Sequence, residues 1–166
     1  MVFATNVANS ILLKARENNI YIKPIRLYNY VYLLYSSMFY KYGVKLFDEP
    51  FNVTDLGPVV PSIYYKFNCY GNKVIRSFAK NAIGEIDYIR GEAFDDCVEE
   101  IIFKYKYYSD EELYNFIINE KKAYNNARAN NNLTLSDFDI LNDEINFNEE
   151  ILKKAKTLKN IINNGK

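Results

Sequence analysis

Leu56-Gly57-Pro58-Val59-Val60-Pro61-Ser62-Ile63-Tyr64 sets the architecture around it. Two prolines and a glycine within five residues force a fixed, non-helical corner, because they restrict φ and remove backbone donors. Pro61 can then open a helix running through Tyr64, Tyr65, Phe67 and Tyr70, with Gly71 as its stop. On the N-terminal side, Val44 to Asp55 alternates apolar and polar residues around Asp48-Glu49-Pro50, which predicts a short two-stranded hairpin. Before it, Pro24 to Tyr42 is apolar almost all round. Leu27, Val31, Leu34 and Met38 form one stripe, and Tyr28, Tyr32, Tyr35 and Phe39 another. Such a helix belongs at the centre of a fold, and Gly43 is placed to cap it. Thr5 to Asn18 reads as a first amphipathic helix, with Asn18-Asn19 as its stop.

C-terminal to the corner, residues 72–91 fit either short strands or loop. Glu92 to Tyr108 has helical spacing. Ser109 with Glu112 is a capping box that starts a further helix carrying Leu113, Phe116, Ile117 and Tyr124. Asn130-Asn131-Asn132 is a break, Leu133 to Leu141 predicts a short helix, and Asn148-Glu149-Glu150 caps a last helix over Ile151 to Ile162. Residues 130–148 are the candidate linker. The expectation is a mainly α protein: a compact helical domain over 1–130, with a small β-hairpin inserted after the second helix, and a C-terminal helical extension over 131–166 packed on it.

The chain has 166 residues, 21 basic, 21 acidic and no histidine. Without histidine there is no Ser-His-Asp or Cys-His catalysis, no His-ligated zinc and no imidazole switch. Two cysteines cannot supply a four-thiolate metal site. Cys69 and Cys97 are expected to be free, buried thiols in a reducing cytoplasm. The N-terminus does not read as a signal peptide, and the most apolar run, Ile25 to Tyr40, is too short to span a bilayer. The zero net charge argues against a generic nucleic-acid binder. It conceals segregation: residues 1–91 carry +5, 92–150 carry −10 and 151–166 carry +5. Either these segments neutralise one another within the fold, or the acidic middle faces a basic partner.

The corner, followed by Phe67 and Tyr70-Gly71, resembles the Gly-Pro-Val-[Val/Ile]-Pro signature of the SocA-like Panacea domain family. Val7-Ala8-Asn9-Ser10-Ile11-Leu12 is similar to that family's opening helix, and Ile25 to Tyr32 to its second. Leu46-Phe47-Asp48-Glu49 and Phe51 fit the segment before the corner; Ser109 to Leu113 and Ala127-Arg128 fit its later helices. The likeness covers about residues 5–128. It departs at polar positions, where the family's Gln-Lys becomes Tyr28-Asn29, its Thr-His becomes Ile118-Asn119 and its Pro-Trp becomes Ala123-Tyr124.

The resemblance implies a cytoplasmic, phage- or plasmid-associated antitoxin that binds and neutralises a toxin encoded beside it, in some systems delivering that toxin to a host protease. A phage-encoded inhibitor of a host defence protein such as a CRISPR nuclease is the alternative. In both, the partner is a protein, and neither enzymatic activity, a cofactor, a metal nor a membrane is expected.

Gly57, Pro58, Val59, Val60 and Pro61 are explained by backbone restriction alone. The corner's rim, with Tyr64, Tyr65 and Phe67, could also form a binding groove, since tyrosine gives large contact area at low entropy cost. Tyr28, Asn29, Asn119 and Tyr124, at the positions that depart from the family, complete the expected partner-binding set. Sixteen tyrosines are more than a small core easily satisfies, so some are expected at a covered surface. Asp96, Glu99 and Glu100 share a helix face, and Asp110-Glu111-Glu112 opens another helix. Solvated surface and helix-dipole complementation explain both groups better than metal ligation does. Lys153, Lys154, Lys156 and Lys159 read as a basic helix docked on the acidic middle.

Overall fold

The computed structural model describes residues 2–147. Among these described residues seven α-helices and one two-stranded antiparallel hairpin follow in order: α1 (Ala4–Glu17), α2 (Pro24–Tyr42), β1 (Asn52–Thr54), β2 (Gly57–Val59), α3 (Pro61–Phe67), α4 (Glu92–Tyr105), α5 (Asp110–Glu120), α6 (Lys122–Ala129) and α7 (Asp137–Phe147). The protein is mainly α, with its hairpin after the second helix. The expected helix over 151–162 and its lysines lie outside the described residues.

α2 is the hub. It starts on Pro24, ends on Gly43 in the left-handed region (φ 67°), and buries every residue from Arg26 to Met38. It packs against α1, α3, α4, α5, α7 and β2. Its apolar circumference is therefore matched by neighbours on nearly all sides, as an all-round hydrophobic helix requires. Three of its tyrosines bury their rings yet keep polar partners. The Tyr30 hydroxyl accepts from Arg26 (3.2 Å), Tyr32 donates to Asp143 (3.2 Å) and Tyr35 donates to Asp137 (3.0 Å). Tyr32 and Tyr35 also stack edge-on against Phe51, at 5.3 and 5.2 Å between ring centres. The core thus absorbs more tyrosine than its size suggests, because carboxylates arrive from α7 to receive the hydroxyls.

The hairpin lies later in the chain than expected. Its two-residue loop is Asp55-Leu56, and the proposed turn at Asp48-Glu49-Pro50 belongs to an irregular segment. Thr54-Asp55-Leu56-Gly57 carries the turn chemistry: Gly57 takes φ 92°, and the Thr54 hydroxyl accepts from Leu56 N–H (3.1 Å) while donating to the Gly57 carbonyl (3.0 Å). The expected corner at Gly57-Pro58-Val59 is thus the second strand, which accepts Pro58 because it is an edge strand. Glu49 acts elsewhere. Its carboxylate accepts from the Ser62 N–H (2.7 Å) and hydroxyl (2.6 Å), capping the first turn of α3.

The capping box at Ser109 and Glu112 is present in full. The single helix expected from it divides in two at Lys121, whose φ and ψ of −89° and 115° are extended, so Tyr124 belongs to a separate helix. Residues 131–147 are not a detached appendage. Leu133 and Leu135 exchange backbone bonds with Val53 and Phe51, where a helix was expected, and α7 packs on α2 and α6. Residues 71–91 form a long loop without helix or strand. Both cysteines are free; Cys97 is buried, but Cys69 is exposed, contrary to expectation.

Candidate functional site

The hairpin turn stands between two depressions. One is a cleft of about 370 Å³ between the hairpin and α3, lined by Asn52, Thr54, Leu56, Val59, Pro61, Tyr64 and Tyr65. On the other side is an open depression of about 510 Å³, lined by residues that include Val53, Asp55, Tyr124, Arg128 and Leu133. The first is mostly apolar, with Tyr65 77% and Leu56 40% exposed on its rim. A wide apolar cleft edged by an exposed tyrosine is suited to receiving a side chain or short segment of another protein.

The turn is held firmly. Tyr114 of α5 donates to the Asp55 carbonyl (2.9 Å), and Tyr124 of α6 donates to the Thr54 carbonyl (2.5 Å). Arg128 donates to the Tyr124 hydroxyl (3.1 Å) and to the Asp55 carboxylate (3.3 Å). Two helices therefore fix a loop that would otherwise be free. A preformed surface loses less entropy on binding.

Of the expected residues, the structure brings Val59, Pro61, Tyr64 and Tyr65 together along the cleft. Gly57, Pro58 and Val60 form its backbone support. Tyr124 is buried and acts from behind, through Thr54. Phe67 is 1% exposed and packs in the core, so it is not part of the rim. Its position follows from helical spacing: Ile63 and Phe67, four apart on α3, both face inward, while Tyr65 faces out. Asn119 is exposed near the end of α5 and lines neither depression. Asn52, Thr54 and Leu56 were missed because the turn was placed too early. Tyr114 and Arg128 act on the turn across 59 and 73 residues of sequence, and no local pattern signals that.

Tyr28 and Asn29 are 3% and 0% exposed, and the Tyr28 hydroxyl and both polar atoms of the Asn29 amide have no hydrogen-bond partner among the described residues. The Tyr28 ring lies 6.2 Å from Tyr64, a cleft residue, and burial pushes its hydroxyl pKa up to about 12. Asn29 lies behind Gly57. Unpaired buried polar atoms cost about 1–3 kcal/mol each. Tyr28→Phe should therefore raise the melting temperature, by about 2–4 °C if it recovers about 1 kcal/mol. A drop on calorimetry would show that the hydroxyl is satisfied in solution.

The acidic side chains do not converge. Among the described residues no three metal-ligating groups cluster, and Glu100 pairs with Lys41 at 2.5 Å. Among them, too, no helix is long and apolar enough to cross a membrane. No protein-family model, curated protein or solved structure matches the chain.

Proposed function

We propose that this chain is a non-enzymatic antitoxin of the SocA-like Panacea type, acting in the cytoplasm by stoichiometric binding to a toxin encoded beside it. The observation that carries the reading is the braced hairpin with its open apolar cleft, whose rim exposes Tyr65 and Leu56. Protein interfaces concentrate their binding energy in such rigid, aromatic-edged recesses. The Val-Ala-Asn opening, the Gly-Pro-Val-Val-Pro stretch and the order of the helices support the family assignment. The toxin's contact segment enters the cleft, and neutralisation follows from occlusion. Delivery of the bound toxin to a host protease is compatible with the same geometry, because only one side of the molecule is then covered.

Coexpression with the adjacent gene tests this. The two proteins should co-purify in a fixed ratio and restore growth. A Tyr65→Ala and Leu56→Asp double variant should fold normally, since both side chains are exposed, yet bind about 30-fold or more weaker. Failure of the pair to co-purify or to rescue growth overturns the antitoxin reading. Full binding by the double variant removes the cleft from it.

A further inference from the structure

The loop over residues 71–91 has the length at which a structureless segment calls for a functional account. It is pinned rather than loose. The Asn9 amide donates to the Ala79 and Asp87 carbonyls (2.9 and 3.1 Å) and accepts from Ala79 N–H (2.8 Å). Ser10 accepts from Ile89 N–H (2.8 Å), Ile75 N–H bonds to the Ile22 carbonyl (2.9 Å), and Tyr70 accepts from Ser77 N–H (3.0 Å). Buried polar groups of α1 thus fix the path of the loop in one conformation.

What the loop presents outward is mainly positive charge, with Glu85 its one exposed carboxylate. Lys66 just before it, with Lys73, Arg76, Lys80 and Arg90 within it, are all exposed. None of the five pairs with a carboxylate among the described residues. Lys23, Arg26, Lys41, Lys45 and Arg128 each meet an aspartate or glutamate, whereas Lys14, Lys104, Lys106 and Lys122, like the loop's cations, pair with none among the described residues. Within the loop, Asp87 is engaged by the Asn81 amide at 2.9 Å. Lys66 reaches the Lys80 carbonyl (3.2 Å), and five cations against one exposed glutamate leave this prefixed stretch with an excess of positive charge complementary to anions.

The aromatic side chains narrow the choice of anion. Arg16 covers the Phe78 ring at 4.1 Å, Tyr88 meets Phe78 edge-on at 5.4 Å, and Arg90 lies over Tyr88 at 5.7 Å. These rings are occupied, so they do not offer the open faces on which bases stack. Glu92, Asp95 and Asp96 follow Arg90 directly and repel any anion that extends past it, so the positive stretch has room for a short acidic segment only. We infer that the 71–91 loop is a second docking face, one that takes a short acidic segment of a protein partner. It shares no residue with the cleft, and it stands whether or not the partner is a toxin.

Fluorescence anisotropy of the full chain with a labelled glutamate-rich peptide tests this directly. Binding should saturate at low salt and weaken as salt rises from about 0.05 to about 0.5 M, as the screening length contracts. Lys73→Gln with Arg76→Gln and Lys80→Gln should weaken it about tenfold or more, whereas Lys104→Gln with Lys106→Gln should not. A labelled oligothymidylate of about 20 nucleotides serves as the competing probe. Absence of saturable peptide binding, indifference to the triple substitution, or tighter binding of the oligothymidylate in the same buffer would each overturn the inference.

Discussion

Asp143→Ala is expected to destabilise the protein by about 3–5 kcal/mol, lowering the melting temperature by about 10 °C. Asp143 lies on α7 and is 4% exposed. Its carboxylate accepts from the backbone N–H of Lys122 (2.7 Å) and from that of Ala123 (2.9 Å to each oxygen), and from the Tyr32 hydroxyl (3.2 Å). These two amides open α6, whose own N-cap, Lys121, does not cap them with its side chain. Asp143 is therefore a helix cap contributed by another helix, and its charge also meets the positive end of the α6 dipole. Burial raises its pKa, and the bonds from the Ala123 and Lys122 amides offset that only in part. Alanine leaves two N–H groups without their acceptor, Ala123's in a buried position. It also removes a contact that ties α7 and α2 together. Asp143→Asn retains an acceptor and should lose about half as much. Urea unfolding of the three proteins measures the order. A loss below about 1 kcal/mol for alanine would mean that water replaces the carboxylate.

The same residue shows where sequence reading stops. An aspartate in an Asn- and Asp-rich stretch after a polar break looks like solvated linker, and the sequence expectation placed 130–148 there. Only the tertiary fold reveals that Asp143 receives two amides and a tyrosine. α2 was legible because every signal agreed: Pro24 to start, Gly43 to stop, and an apolar surface too wide for anything but a central helix. The Ser109–Glu112 box was legible because capping is local. The hairpin was legible in kind but not in register. Proline at Pro50 drew the turn towards Asp48-Glu49, whereas the positive φ needed by the real turn could be met at Gly57. In the site, Tyr64 and Tyr65 could be named from the helix that follows Pro61. Phe67 could have been excluded by the same helical spacing, since it falls one turn after Ile63. Tyr114, Tyr124 and Arg128 brace the turn over separations that only the packed structure closes.

Arg26→Ala is the second large effect, expected at about 2–4 kcal/mol. Arg26 opens α2 and is 9% exposed. Its guanidinium donates to Asp110 (2.6 Å), to the Tyr30 hydroxyl (3.2 Å) and to the carbonyls of Tyr105 (3.3 Å) and Tyr108. Desolvation works against its charge, but the bonds to Tyr30 and Asp110 outweigh that, so its pKa rises and it stays ionised. Tyr105 ends α4 and Asp110 begins α5, so one side chain serves the negative end of one helix and the first turn of the next. That fixes the turn between α4 and α5 against α2. Asp110 is partly solvated, with its side chain 27% exposed and Lys23 3.8 Å away, which limits the penalty of leaving it behind. The larger share of the loss should come from the carbonyls, which an ammonium cannot serve together. Arg26→Lys should consequently recover less than half of the loss, because lysine lacks the planar fork. A double-mutant cycle with Asp110→Asn separates the two contributions. A coupling of about 1 kcal/mol, well short of the full alanine effect, places the weight on the carbonyls. A coupling equal to that effect would instead make the Arg26–Asp110 pair the whole of it.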